Sequence, residues 1–285
     1  MLRRIAISTG KSLAFLGLWG ALLTVATLSV VHLGGKNFYR DMGWRTALEG
    51  LAMLAALGAL LVMALAVDKR GTATLGFPPR RALAGLIGGT LIGAAIFAVP
   101  LAILSAQGYI HVAPDLTHFS WSAFAIALFV VFVNVVDQEL IVRSYIFQEV
   151  WRKYSGAAAV TVSSLLFVGL HTGAILKGTA GLLAGLDVTL ASILLGLAYL
   201  RSGALWLPIG IHFGWNAFQG PVLGINVTGM DLGAHWHVFA VSGPDLWTGG
   251  SMGVEGGLAG LAGPLIGIAI VLALYQAPAR QPVMA

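Results

Sequence analysis

A few polar side chains interrupt otherwise apolar stretches, and they fall into three short blocks. These are Gln138 and Glu139 with Arg143, Phe167 with His171, and His212 with Asn216. Residues four apart share a helix face, so each block presents its pair on one side. A carboxylate, two imidazoles and a carboxamide can accept protons and donate hydrogen bonds. The three blocks therefore hold most of the side chains in this sequence that are suited to acid–base chemistry.

The composition excludes several classes of protein. Of the 285 residues, 58% are hydrophobic and only 9% are charged, with a mean hydropathy of +0.89. A soluble globular domain has about 25% charged residues, so this chain is not one. It has no cysteine, which excludes a disulfide scaffold, a thiolate nucleophile and a zinc site built on sulfur.

Long apolar stretches predict an all-α, polytopic transmembrane bundle in a single membrane domain, residues 1–285. A bilayer core of about 30 Å needs roughly 20 apolar helical residues, and about eight stretches fit. They are Ser12–Val31, Thr46–Val67, Ala82–Ala106, Ser122–Val142, Gly156–Leu170, Ala180–Leu200, Ala204–Phe218 and Gly257–Tyr275. The glycine-rich stretch Gly85–Gly93 predicts close helix packing, because small residues let membrane helices approach.

The three blocks are expected at similar depths in the bilayer. Counting about 1.5 Å per residue from the basic residues that mark the cytoplasmic surface puts Glu139 roughly 20 Å deep, His171 roughly 24 Å and His212 roughly 16 Å. Ionisable groups are costly inside a membrane, so each is expected to have a partner or a function. We therefore expect these side chains to meet around one water.

The basic residues predict the orientation, because loops rich in Lys and Arg stay in the cytoplasm. One side holds Arg3, Arg4, Lys11, Lys69, Arg70, Arg80, Arg81, Arg152, Lys153, Arg201 and Arg280; the other holds Lys36, Arg40, Arg45 and Lys177. Both termini are thus predicted to be cytoplasmic, in an integral protein of a bacterial plasma membrane. The segment from Pro221 to Glu255 contains no Lys or Arg and is predicted to lie in an outer loop. The net charge of +5 is attributed to this bias. No binding of nucleic acid is expected.

The order and spacing of the blocks resemble the CPBP family of CAAX proteases and bacteriocin-processing proteins. The pattern of that family is E-E-x-x-x-R, then F-x-x-x-H, then H-x-x-x-N, and the resemblance covers about residues 122–218, the expected catalytic core. It implies an intramembrane endopeptidase, of the glutamate type or a metalloprotease. It also implies that the first Glu and the second-block His activate a water, while the third-block His and Asn stabilise the oxyanion.

This chain departs from the family pattern at the first acidic position, where it has Gln138. An amide does not accept a proton at neutral pH. Three interpretations remain: Glu139 serves as the base, Gln138 is an inactivating change, or the protein works without hydrolysis. Adjacent helical residues differ by about 100°, so exchanging their roles needs a local twist or a shifted water.

Our leading hypothesis is an intramembrane peptidase that cleaves a membrane-anchored protein or peptide. Glu139 and His171 would polarise the water, His212 and Asn216 would hold the oxyanion, and Arg143 would orient the carboxylate. No cofactor is favoured. If a metal is bound, we expect it to be zinc. Its ligands would be Glu139, His171 and His212.

Two alternatives from other classes of protein remain open. Gln138 favours a non-catalytic membrane scaffold or peptide-binding protein that keeps the fold. Asp137 and Asp187 would serve as relay carboxylates in a proton-coupled transporter. We expect Asp187 instead to pair with a polar group on a neighbouring helix.

Overall fold

The computed structural model describes residues 2–35, 42–71, 74–112, 119–231 and 239–274. Its elements are mostly helices, as the sequence predicts. Three of the basic residues used for the orientation, Lys36, Arg40 and Arg280, lie outside the described residues. The orientation therefore remains a prediction.

Eleven α-helices and two short strands are numbered here in chain order within the described ranges. The helices are α1 Leu2–Gly34, α2 Met42–Leu61, α3 Ala82–Ala106, α4 Trp121–Glu139, α5 Tyr145–Lys153, α6 Gly156–Leu170, α7 Thr172–Ile175, α8 Gly178–Ser202, α9 Trp206–Ala217, α10 Asp245–Thr248 and α11 Ala262–Leu274. The strands β1 Ile110–Val112 and β2 Phe239–Val241 pair antiparallel. Wider π-helical turns follow α2, α4 and α9, at Val62–Val67, Leu140–Ser144 and Phe218–Val222.

The helices form a membrane bundle. Five helical segments are long and apolar enough to cross a bilayer: Ile5–Gly34, Gly43–Val67, Pro79–Ala106, Trp121–Lys153 and Gly178–Ser202. Two shorter apolar helices, α6 and α11, accompany them. Large apolar side chains such as Leu33, Leu83 and Leu165 are at least 70% exposed. Such exposure suits lipid contact, because lipid tails are as apolar as these side chains.

Several predicted spans differ from the observed helices in their bounds, and the fourth and the last span are two of them. The span predicted to end at Val142 continues through the π turn and α5 to Lys153. The last span was predicted from Gly257, but its α-helix begins at Ala262. The residues before it form two 3-10 turns, Gly250–Met252 and Val254–Gly256. Gly249, Gly250 and Gly253 have positive φ angles there, which break a regular helix.

Helices α3 and α9 pack closely through glycines on both sides. A Cβ atom on Gly93 would overlap the carbonyl oxygen of Ile211, and one on Gly214 would overlap that of Thr90. A Cβ on Gly89 would lie 2.6 Å from the carbonyl oxygen of Leu207. The predicted role of Gly85–Gly93 in close packing is confirmed. This contact fixes the position of α9, which carries the third motif block.

Asp68, just after the π turn of α2, anchors a polar group at one end of the bundle. It pairs with Lys11 of α1, lies 3.1 Å from Arg70 and accepts a hydrogen bond of 3.0 Å from Tyr145 Oη. Burial alone would raise the pKa of the Asp68 carboxyl, but these hydrogen bonds and the Arg70 charge outweigh burial, so its pKa is lowered. The group ties α1, the end of α2 and α5 together.

Candidate functional site

Glu139 and Arg143 form a fully buried ion pair at the junction of α4 with its π turn. Arg143 Nη1 donates to Glu139 Oε1 at 2.7 Å, and both side chains are 0% exposed. Arg143 Nη2 donates to Ser192 Oγ on α8 at 2.7 Å. The guanidinium also lies 4.8 Å from the centre of the Phe167 ring on α6, within cation–π range. Arg143 therefore joins three helices around one carboxylate.

His212 on α9 contacts the same carboxylate oxygen. Its Nδ1 lies 3.0 Å from Glu139 Oε1, and the imidazole is 9% exposed. An ionised carboxylate only accepts hydrogen bonds, so the shared proton belongs to Nδ1. Nε2 is therefore the nitrogen that His212 has available for another group.

His171 directly follows the last residue of α6, and its imidazole has a similar arrangement. Its Nδ1 lies 2.8 Å from the carbonyl oxygen of Phe167 and donates to it, which again leaves Nε2 available. The Phe167 ring is 4.7 Å from the His171 ring and 5.7 Å from the His212 ring, between centroids. One aromatic side chain thus contacts both imidazoles.

A cavity of about 50 Å³ lies beside both imidazoles. This volume is enough for a few water molecules. Apolar side chains of α3, α6, α8, α9 and α11 form most of its wall. The polar part of the wall consists of His171, Asp187, His212, Asn216, Thr228 and Glu255. In the part of the chain that the structure describes, Glu139 is not in the wall and reaches the cavity only through His212.

Gln138 points to a different neighbour from Glu139. Its Nε2 donates to Asn134 Oδ1 at 2.7 Å, and Asn134 Nδ2 donates to Glu49 Oε2 on α2 at 2.9 Å. Of the two adjacent residues, Glu139 is therefore the one in contact with an imidazole. Glu139 contacts His212, whereas the sequence-based hypothesis paired it with His171.

Sequence reasoning missed Glu255, which precedes α11 and was placed in an outer loop. Its Oε2 accepts hydrogen bonds from Thr228 N at 2.6 Å and Thr228 Oγ1 at 2.8 Å. Its Oε1 accepts one from Trp215 Nε1 at 3.2 Å. The available signal was an acidic residue immediately before an apolar span. Glu255 brings a distant part of the chain to the wall of the cavity.

Asp187 on α8 was expected to pair with a polar group of a neighbouring helix, and that expectation was wrong. The side chain is 3% exposed, and its Oδ1 has no hydrogen-bond partner among the described residues. Its electrostatic neighbour is Glu255, which has the same charge. Asp137, the other carboxylate of the transporter alternative, instead faces Glu49. The two aspartates therefore belong to separate polar groups.

The proposed zinc ligands do not form a metal site in this arrangement. Glu139 Oε1 already accepts hydrogen bonds from Arg143 and His212, and Nδ1 of both imidazoles is engaged. Over the described ranges, no group of three or more His, Cys, Asp or Glu side chains is arranged to hold a metal ion. Glu139, His171 and His212 are therefore not gathered as three ligands of one ion in the described residues, and the mechanism below contains no metal step.

Residues 119–218 match the model of one protein family, and this segment includes all three motif blocks. The family is described as Type II CAAX prenyl endopeptidase Rce1-like. The resemblance to the CPBP family is confirmed over this segment. No curated protein and no solved structure matches the chain. The match supports a protease at the level of the family.

Proposed function

We propose that this protein is an intramembrane endopeptidase that hydrolyses a peptide bond of a membrane-anchored protein or peptide. One observation carries the proposal: a carboxylate fixed by Arg143 contacts His212, and His212 shares a small cavity with His171 and Asn216. The match of residues 119–218 to an endopeptidase family supports the same reaction.

The cavity has groups suited to holding a water and to stabilising an oxyanion. His171 Nδ1 donates to a backbone carbonyl, so the Nε2 lone pair can accept a hydrogen bond from a water and hold it. Asn216 has an amide donor for the oxyanion that develops on the peptide carbonyl. His212 becomes a second donor when both of its ring nitrogens carry protons, with Glu139 as the counter-ion.

Glu139 acts through His212 in this proposal. Its carboxylate accepts the Nδ1 proton of His212 and fixes the tautomer and the orientation of the ring, as a third group does in other catalytic sites. Arg143 in turn fixes Glu139. The sequence-based hypothesis had Glu139 polarise the water together with His171. We propose that Glu139 orients His212 instead, because the contact of its carboxylate is with His212 Nδ1.

The test is a cleavage assay with the purified full chain in liposomes. Two probes are used: a peptide with a farnesylated cysteine followed by three residues, and a hydrophobic single-span peptide, with products identified by mass spectrometry. His171→Ala and His212→Ala are expected to lower kcat by about 10²- to 10⁴-fold. His111→Ala, an exposed histidine on β1, is the matched control and leaves the rate unchanged. Activity that survives both Glu139→Ala and His171→Ala overturns the proposal.

A non-catalytic scaffold or peptide-binding protein is the second candidate, favoured by Gln138 and its contact with Asn134. The discriminating variant is Gln138→Glu. In a scaffold that has lost its base, this change alone would produce cleavage in the same assay. In the proposed peptidase it produces no gain, because the side chain at this position faces Asn134 and Glu49.

The distribution of basic residues supports a further part of the proposal. We place both termini, together with Arg80 and Arg152, on the cytoplasmic side of a bacterial plasma membrane. In this orientation, the segment that includes Glu255 reaches the site from the outer side of the membrane.

A further inference from the structure

The wall of the cavity carries a carboxylate that none of the three motif blocks supplies. Asp187 lies within α8, is 3% exposed and faces the space lined by His171, His212 and Asn216. Its Oδ1 is buried, and no described residue forms a hydrogen bond to it. A buried carboxylate oxygen without a partner is costly, because it loses its hydration and gains nothing in return. A water in the cavity is the partner that this geometry allows.

Gln138 and Glu139 of the first motif block do not line the cavity. Gln138 is an amide and points to Asn134. One oxygen of Glu139 is shared by Arg143 and His212. The other is also buried without a hydrogen-bond partner among the described residues, but Glu139 does not line the cavity.

Glu255 is in the wall, but both of its oxygens accept hydrogen bonds from Thr228 and Trp215. Asp187 is thus the carboxylate of the wall that has an oxygen free for water. Across the cavity, the titratable groups that face it are His171, His212 and Glu255.

We propose that Asp187 is the general base that takes a proton from the attacking water, in the role that Gln138 cannot fill. This inference rests on the proposed peptidase function. An O–H bond of the water breaks and its proton moves to the Asp187 carboxylate, while the water oxygen bonds to the peptide carbonyl carbon. The C–N bond then breaks, and the proton passes from Asp187 to the leaving nitrogen. The products are a carboxylic acid and an amine, so the atoms balance.

The experiment compares two aspartates in the liposome assay, with the same two peptide probes. Asp187→Asn is nearly isosteric and is expected to lower kcat by at least about 100-fold, the lower limit for loss of a general base. Asp137→Asn is the matched control. Asp137 is also a buried carboxylate with an unpartnered Oδ1, but it lies outside the cavity wall. Its substitution is expected to leave kcat unchanged.

A pH profile separates proton transfer from a structural effect. Wild-type kcat is expected to fall on the acidic side as the base becomes protonated, and the residual rate of Asp187→Asn is expected to lack this acid limb. Asp187→Glu retains a carboxylate, so it is expected to show a reduced kcat with the acid limb present. If Asp187→Asn does not fold, a missing acid limb in Asp187→Glu overturns the inference.

The remaining outcomes distinguish the two proposals. Wild-type kcat in Asp187→Asn, together with loss of cleavage in His212→Ala, overturns the role of Asp187 and leaves the peptidase standing. If the wild-type protein cleaves neither probe, the peptidase is overturned and the role of Asp187 with it.

Discussion

Glu139 and Arg143 carry opposite charges at a position where neither is exposed to solvent. Removing two charges from water costs several kcal/mol per ion, and the attraction between them offsets that cost only when both are present. Arg143 has further partners in Ser192 and the Phe167 ring, which spread its stabilisation over two more helices. The pair is therefore expected to be coupled in the stability of the protein as well as in the geometry of the site.

A double-mutant cycle on this pair tests the coupling. Glu139→Gln and Arg143→Met are each expected to destabilise the protein by about 3–5 kcal/mol, because each leaves one buried charge alone. The double variant is expected to be more stable than the sum of the two changes implies. The measurement is the unfolding transition in detergent.

Lys153→Met is the control for this cycle. Lys153 is 28% exposed, and its partner Glu149 keeps Arg152 as a second cation, so the loss is expected to be small. Additive effects of Glu139→Gln and Arg143→Met would contradict the coupling.

The sequence predicted the residues of the three blocks, but it could not distinguish Gln138 from Glu139. Helical spacing alone places their side chains about 100° apart and leaves both available. The structure adds a π turn that begins at Leu140 and places Arg143 against Glu139. Asp187 and Glu255 were not assigned to the site because their neighbours in space are distant in sequence, and no local spacing reveals such a contact.

At the scale of the elements, the contact between α3 and α9 fixes the height of His212. Two glycine faces meet there with backbone against backbone. Because His212 and Asn216 lie on α9, a shift of this helix moves both of them relative to Glu139 and His171. The glycines of α3 therefore help to set the positions of His212 and Asn216, although they do not contact the site themselves.

Two alanine substitutions on α3 separate close packing from helix propensity. Gly93→Ala is expected to lower stability by about 1–3 kcal/mol and to reduce cleavage, because its Cβ would overlap the carbonyl oxygen of Ile211. Gly88→Ala lies on the same helix with open space around its Cβ, and is expected to be neutral or slightly stabilising. Thermal unfolding and the liposome assay measure the two effects. Equal stability of the two variants would show that the contact is looser than described.

The sequence predicted the helices more accurately than their ends. Hydropathy detects an apolar stretch of sufficient length, so the bounds of α3 and α6 match the predicted Ala82–Ala106 and Gly156–Leu170. Hydropathy does not show where glycines with positive φ interrupt the helix. Apolar composition therefore extended the last predicted span back to Gly257, five residues before α11 begins.

At the scale of the whole molecule, the absence of cysteine makes the orientation accessible to measurement. Arg80 and Ser251 are both exposed, and they lie in loops predicted on opposite sides of the membrane. In intact cells, an impermeant maleimide is expected to label Ser251→Cys directly and Arg80→Cys only after the membrane is opened. Labelling of both variants from outside would contradict an odd number of crossings between the two loops.

The cavity beside His171 and His212 has room for a few waters and no room for a stretch of polypeptide. We therefore expect the surrounding helices to move apart when a substrate chain binds beside the imidazoles. In a protein surrounded by lipid, that rearrangement has to push acyl chains aside. Turnover should then follow the fluidity of the bilayer and slow sharply when the lipid freezes into its gel phase.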